Sequence, residues 1–538
     1  MPATLQNVKI SCKGGLDLRS TSQDLLSKPG FAEKLQNFEV TGTGGYRRIN
    51  GYEPYGVNPV PGTGPIKGIY IFNHSILVAR GDHIYHSFDA STWVQINKEV
   101  TDANLSTIQA ASAVPMNSSV TKVRFAHYSN GTAEEDQMVT MVNGYDEVMY
   151  FKVTGTNHNT ATYTFTYLDE GLTGAPAGCK YCFAFKDQVY LSGKEEAPSA
   201  IYVSALFDPT DYTGTNSLQI NTADPVVGLY PFRENMIVFC ENSLFSLQGV
   251  AAGTAALLPI TEKIGCVSGD TIQEINGDLI YLAADGLRTV AATQRIGDIE
   301  LSTISTLIYP LLNEIIMDLD EYELTSVVLR EKNQYRLYFP EAGNGGLNDE
   351  GVIGTVSYLP DGGVGWSWST TKGISAQHIV EGLIGTEYIS LMASKGDGVL
   401  YRHDYGNTFN GNRVPAIFTT PFFDLGDPSI RKNLHRVKTY IRPEGKADIS
   451  LRVQNSGYGN ELPHNPVRYP LGDLRIPAVY GEAEYDTGVT YGARIIDTKV
   501  INTYGSGFSF SFTYYSSDTG SPYNIQGFDL DFKASGKV

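Results

Sequence analysis

Cys179 and Cys182 frame Lys180 and Tyr181 in a C-x-x-C, the spacing of half a zinc site or of a redox-active pair. A zinc site needs two further thiolates or imidazoles, and the chain offers no second C-x-x-C and no paired-histidine motif. A redox pair of this kind sits near a βαβ pattern, which the flanking β-rich runs do not form. Ordinary reduced cysteines at a strand start are expected here, with Cys12, Cys240 and Cys266 as small core residues. The acidic run Asp318, Asp320, Glu321, Glu323 has the charge to hold a hard cation but lacks the glycine and spacing of an EF-hand loop, so a solvated helix end is expected. His83 and His86, three apart on a predicted strand, fall on opposite faces and cannot share a metal. Neither H-E-x-x-H nor G-x-S-x-G occurs. The sequence therefore nominates no catalytic, cofactor-binding or metal-ligating residue and no cofactor; carboxylates gathered from distant segments would leave no motif.

The stretch "TGTGGYRRINGYEPYG", Thr41 to Gly56, is rich in glycine, arginine and tyrosine. Gly42, Gly44 and Gly45 do not make G-x-G-x-x-G, and no G-x-x-x-x-G-K-[ST] occurs in the chain, so this is not a phosphate-cradling loop. As a nucleic-acid grip, Arg47 and Arg48 would be two cations on a chain of net charge −18. Pairing with carboxylates of the same or a neighbouring subunit is expected instead. Tyr46, Arg47, Arg48 and Tyr52 are the candidates for an assembly joint, because interfaces favour tyrosine and arginine and glycine lets the strand bend. A second candidate is the basic run Arg431, Lys432, His435, Arg436, Lys438 and Arg442, whose alternation spreads charge along one strand face toward a protein partner.

The elements that must carry these residues read as strands. With 538 residues, 34 of them tyrosine and 56 glycine, the chain is long enough for two to four domains and leans toward pleated strands and tight reversals. An odd count of five cysteines argues against a disulfide framework. No stretch approaches the roughly 18 apolar residues of a membrane-spanning helix, and the N-terminus has no signal-peptide pattern. From Gly68 onward a unit of three or so β-rich runs with polar turns recurs, most plainly in "GIYIFNHSILVARGDHIYHSFDASTWVQI". Meanders repeating every 40 to 50 residues or so predict an all-β propeller of six or seven antiparallel blades. Ile304, Leu307, Ile308, Leu311, Leu312 and Ile315 fall at helical spacing, which predicts a helical insertion near 300–318, interrupted at Pro310. Three parts follow: an N-terminal arm over 1–66, the propeller over 67–410 and a C-terminal β-sandwich-like domain over 411–538.

"SFDASTW" (Ser87 to Trp93) resembles the Asp-box hairpin of sialidase-type propellers, one residue shorter and with Ser91 where that motif has glycine. That box stabilises a blade and is not an active site. A wider resemblance covers most of the chain in patches. "GGLDLRSTSQDLLSKPGFAEKLQNFEVTGTGGYRRINGYEPYG" from Gly14 resembles the N-terminal segment of bacteriophage virion proteins, and "ALFDPTDY" from Ala205, "IVFCENSLFSLQG" from Ile237, "IGCVSGDTIQEINGDLIYLAADGLRTV" from Ile264 and "FFDLGDPSIRKNL" from Phe422 resemble segments of bacteriophage tail propeller proteins. Within that group the chain is most similar to the tail nozzle, or tail tubular protein B, of short-tailed phages.

The resemblance implies a virion structural protein assembled in the host cytoplasm. It implies a hexameric ring of this chain that extends the DNA channel, meets a tail adaptor and carries fibres or spikes, with double-stranded DNA passing without sequence-specific binding. A structural, non-enzymatic role is expected on this reading. The alternative is a propeller that binds or cleaves glycans; cleavage needs two carboxylates in one cleft or a sialidase-type arginine cluster.

Overall fold

The computed structural model describes the chain outside residues 1–4, 26–27, 43, 73, 97–115, 130–136, 155–163, 169–172, 215–216, 251–252, 291–302, 320–321, 341–348, 360–361, 395, 457–467, 475, 478–488, 491–495 and 538. Each meander is built as its sequence dictates. In the first, Ile66–Phe72, Ser75–Arg80 and His83–Ser87 pair antiparallel. His74 (φ 66°) and Gly81 (φ 61°) adopt the left-handed conformation that tight hairpins demand.

Six blades are sheets of their own, spanning 66–95, 124–168, 181–221, 226–261, 273–289 and 378–403. The remaining place in the ring belongs to the meander 325–372, whose last strand runs on into a sheet of 11 strands. Innermost strands neighbour one another in chain order, and His378–Ile384 packs back against Ile66–Phe72 to close the circle. Apolar side chains fill the gap between each pair of blades. Leu77, Ala79 and Ile84 meet Val139, Met141 and Phe151; Ile76 and Val78 meet Ile389, Leu391 and Ala393 across the closing seam.

Closure depends on the start of the chain. Tyr52–Pro54 forms the outer strand of the last blade by pairing with Leu400–His403. The other early strands are equally committed. Lys34–Gln36 lies between the blade strand Val364–Lys372 and Val414–Thr419, while Tyr46–Arg48 and Gln6–Ser11 both pair with Tyr523–Lys537. Residues expected to form an arm are thus woven into the body, and the hydrogen-bonded sheet runs without a break past the expected boundary at 410.

From Val414 onward the strands form two large sheets, apart from the small pair Ile476–Pro477 and Val489–Thr490, and Phe512 and Tyr514 of one large sheet pack at a tilt against Phe528 of the other at ring-centroid distances of 5.4 and 5.9 Å. The helix Tyr309–Met317 follows a short 3-10 turn, Thr306–Ile308, with Pro310 in its first turn, where a missing N–H costs nothing. Ile308, Leu312 and Ile315 are buried in the large core shared by the N-terminal strands and the two C-terminal sheets, which makes the helix a wedge at the junction.

Gly51 marks the tightest approach. A Cβ there would lie 1.8 Å from the carbonyl oxygen of Thr408, which is backbone and cannot swing away, whereas one at Gly42 would meet nothing within 4 Å. Gly51→Ala is expected to lower unfolding free energy by about 3 kcal/mol or more, and Gly42→Ala to stay within about 0.5 kcal/mol of the parent in urea titrations.

Candidate functional site

The propeller axis opens into a cavity of 970 Å³ bounded by the entry segments of five blades. Its chemistry comes from residues at or just before the innermost strands. Lys122 and Arg124 are two apart in extended chain and so point the same way. Asp270 reaches them from Gly269–Thr271, a 3-10 turn capped by Ser268 and pinned by the Thr271 hydroxyl donating to Ser268 O at 2.6 Å. Gly269 is required because a Cβ would sit 2.2 Å from Val227 O.

Asp270 accepts two bonds from the Arg124 guanidinium, at 2.7 and 3.1 Å, and lies 2.8 Å from Lys122 Nζ. Burial works to raise its pKa, but the two cations outweigh it and hold the carboxyl well below the usual carboxylate range. Arg124 also donates to Lys180 O at 3.2 Å and lies over the Tyr181 ring, 4.7 Å from its centroid. These contacts tie the second, third and fifth blades together across the axis. His378 stands nearby with its pKa pushed down to about 3, chiefly by burial and then by Lys122, so it is neutral at physiological pH. Glu323 accepts from Gln377 Nε2 at 2.8 Å.

A second charged centre lies where the N-terminal strands meet the last two blades. Glu39, 2% exposed, bonds Lys332 at 3.1 Å, Arg336 at 2.9 Å and Arg47 at 2.7 Å. Lys332 and Arg336 reach on to Asp404 at 2.7 and 3.1 Å. His403 completes the group: its Nε2 faces Tyr338 OH at 2.7 Å and Arg336 Nη1 at 3.4 Å, so that nitrogen accepts and the ring is neutral. Burial first, then Arg336, push its pKa down to about 3.

The residues expected at an assembly joint lie largely inside this framework. Tyr46 and Arg48 are fully buried in their own chain, which removes them from any docking surface. The Tyr46 ring meets Phe418 edge-on at 4.8 Å, and its hydroxyl faces Lys13 O at 2.9 Å. Arg48 bonds Asp518 at 2.5 Å and the Asn407 and Gly520 carbonyls. Arg47 grips Glu444 through two bonds of 2.6 Å as well as Glu39, so its carboxylates come from the same subunit. Tyr52 stacks on Phe409 at 5.5 Å.

In the basic strand, Ile430–Pro443, a bulge between Leu434 and Arg436 resets the alternation. Lys432 is buried, its ammonium against Asp427 O and 3.4 Å from Phe508 O, which excludes it from an exposed face. Arg431 is half-buried. Arg436 and Lys438 remain partly exposed and face Asp531 at 3.2 and 3.9 Å.

Other sequence candidates resolve locally. All five cysteines are free and buried. Burial pushes the Cys179 and Cys182 thiols up to about 12, which keeps them protonated and unfit as thiolate ligands. Among the described residues no group of three or more His, Cys, Asp or Glu is placed to hold a metal ion. Of the acidic run, Asp320 and Glu321 lie outside the described residues, Asp318 is exposed and Glu323 lines the axial cavity. In the Asp-box-like hairpin, Asp89 accepts from the Ser91 and Thr92 N–H groups at 2.8 Å, a turn-forming role.

The ring of blades and its charged axis define a β-propeller protein. Among solved structures, the chain is similar to the AfRom2 CNH domain (TM-score 0.36, 11% identity, 66% of this chain and 100% of that one). It is also similar to Hsv2 of Kluyveromyces lactis (0.29, 11%, 58% and 99%) and to an exo-β-1,3-galactanase of Phanerochaete chrysosporium with galactose (0.26, 11%, 90% and 100%). No protein-family model and no curated protein matches the sequence.

Two outcomes follow from the second charged centre. Arg48→Ala leaves Asp518 and two backbone carbonyls without their donor, and is expected to cost about 3–5 kcal/mol, read as a lower denaturation midpoint. For His403, the unfolded imidazole takes up a proton near pH 6.5 that the folded one refuses until about 3, so its contribution is complete above about pH 6.5 and is lost as pH falls. The slope from this residue is about 1.4 kcal/mol per pH unit below that point. Guanidinium titrations at a series of pH values should show His403→Gln with a correspondingly shallower slope.

Proposed function

We propose that this chain is a structural component of a bacteriophage tail, the nozzle ring that extends the DNA channel, retains and then conducts the genome, and anchors fibres or spikes. The observation that carries the reading is the continuous sheet of 11 strands that joins a propeller blade to the C-terminal strands with the N-terminal strand Lys34–Gln36 between them. A hydrogen-bonded sheet has no hinge, and a stiff block suits a part that bears load while a packed genome presses on it. The patches of resemblance, which run from Gly14 through the blades to Leu434, supply the tail assignment.

On this reading the bore lies between subunits, because Lys122, Arg124 and Asp270 bridge the propeller's own axis. A ring multiplies the net charge of −18 by its number of copies, and acidic walls let a polyanion slide without the counterion exchange that lysine walls impose. We assign no catalytic step. Glycoside hydrolysis needs a carboxylic acid with a raised pKa opposite a second carboxylate, whereas Asp270 is held ionised by its two cations.

Electron microscopy of the particle tests the reading: this chain should form a ring coaxial with the tail, and a position outside the channel would overturn it. Charge reversal of the partly exposed pair, Arg436→Glu with Lys438→Glu, is expected to reduce the yield of complete particles at least about tenfold while DNA retention by the purified chain stays unchanged.

A further inference from the structure

The sheet built on Tyr523–Lys537 ends in two strands that lack a neighbour on their outer side. Among the described strands, Gln6–Ser11 pairs with Tyr523–Lys537 alone, and Asp497–Gly507 with Ile430–Pro443 alone. They are the opposite margins of a four-strand run, with Tyr523–Lys537 and Ile430–Pro443 between them. An unpaired margin is a template for another strand, and sheets that must stay single blunt it with proline, a bulge or a cover. Residues 7–10 and 498–502 contain neither a proline nor a bulge.

The two margins match in phase. Cys12 N–H donates to Gln526 O at 3.0 Å, which sets the ladder: Val8 and Ile10 bond Tyr523–Lys537, while Asn7 and Lys9 turn their main-chain groups outward. Carried across the registers of the next two strands, the same alternation turns the main-chain groups of Thr498, Val500 and Asn502 outward. Val8 and Ile501 both pack against the core, so the side chains of those outward-bonding residues lie on the opposite face at both margins. A ladder with Val8 opposite Ile501, Asn7 opposite Asn502 and Lys9 opposite Val500 therefore satisfies both sets of main-chain groups and joins the two core faces. A slip of one residue would spoil both matches at once. Direction agrees as well: each of the three pairings in the run is antiparallel, so a second copy continuing the sheet lays Gln6–Ser11 antiparallel to Asp497–Gly507. Val500, 51% exposed, would be covered by the aliphatic stem of Lys9.

We propose that Gln6–Ser11 of one copy of this chain adds to Asp497–Gly507 of the next, so that one sheet runs on from subunit to subunit. The occupant is a second copy because every chain carries both margins, matched in phase and direction. A contact between two different margins is head-to-tail, and its repetition closes a ring. Closure supplies what so short a ladder lacks: one strand pair buries well under the about 1,200 Å² of a stable two-body interface, whereas each copy in a ring is held on both sides. The proposal rests on the ring reading above, for which it supplies the subunit contact.

The test is disulfide cross-linking of the purified full chain with copper–phenanthroline as oxidant. Val8 and Ile501 would form a non-hydrogen-bonded pair, with Cα atoms about 4.5 Å apart and within reach of a disulfide. In a single copy they stand three strand spacings apart, about 14 Å, and cannot be bridged. All five native cysteines are buried. Val8→Cys mixed with Ile501→Cys should give at least about tenfold more linked dimer than either variant alone, and the double variant should give a series of multimers ending at the ring. Adding Val500→Pro, whose lost N–H makes no bond within the subunit, should cut cross-linking at least about tenfold while circular dichroism and melting temperature hold. Dimers of either single variant alone as abundant as in the mixture would mean that like margins pair, and would overturn the proposal. A mixture that forms no linked dimer would overturn it too, and would leave the margins to strands of another protein. The tail reading fails separately: cross-linking by a chain that lies outside the channel keeps this contact and removes that reading, and a coaxial ring without cross-links does the reverse.

Discussion

A single buried carboxylate, Glu39, sets the terms for the whole assembly of strands. At 2% exposure it cannot be left uncompensated, because an ion stripped of water costs several kcal/mol unless its partners are in place. Its three partners come from two places in the sequence: Arg47 from the next N-terminal strand, and Lys332 and Arg336 from the meander 325–372. Two of the three are shared with Asp404, at the end of the last blade. Burial works to raise the pKa of Glu39, yet the cations prevail and hold it below its ordinary value. The ring, its closing strand and the junction with the C-terminal sheets therefore become stable together or not at all.

The axis obeys the same rule with different residues. Asp270 is to the propeller's centre what Glu39 is to its margin, a carboxylate whose cations arrive from another blade. Between them the two centres add directional cross-links to the apolar packing between blades, which is strong but nondirectional. Charge fixes register where hydrophobic contact supplies cohesion.

Much of the propeller was legible in the sequence, because short apolar runs such as "SILVAR" or "NMIVFC" and the turns between such runs are local signals. The helix around Leu312 was legible for the same reason. The N-terminal strands were not. Lys34–Gln36 and Tyr46–Arg48 are three residues each, too short for a periodic signal, and the strands that tie them into the body, Val414–Thr419 and Tyr523–Lys537, lie hundreds of residues away. Arg48 reads as a surface cation until Asp518 is known to lie beside it. The axial residues were missed because Lys67, Lys122, Asp270 and Gln377 come from four separate segments and form no motif. Lys67, Lys122 and Arg124 stand at the entrances of the inner strands Ile66–Phe72 and Arg124–Ser129, where a propeller brings its blades together.

The pairing of Gln6–Ser11 with Tyr523–Lys537, in which Asn7 donates to Asp531 at 2.6 Å, governs how the molecule comes into being. During synthesis Gln6–Ser11 emerges long before Tyr523–Lys537 and has no partner from that strand until it follows. Early blades can collapse as they emerge, but their circle stays unsealed until Leu400–His403 is made and pairs with Tyr52–Pro54. A copy that stops before Tyr523 lacks the strand with which Gln6–Ser11, Tyr46–Arg48 and Ile430–Pro443 all pair, so topology itself excludes it from use before any cellular inspection takes place.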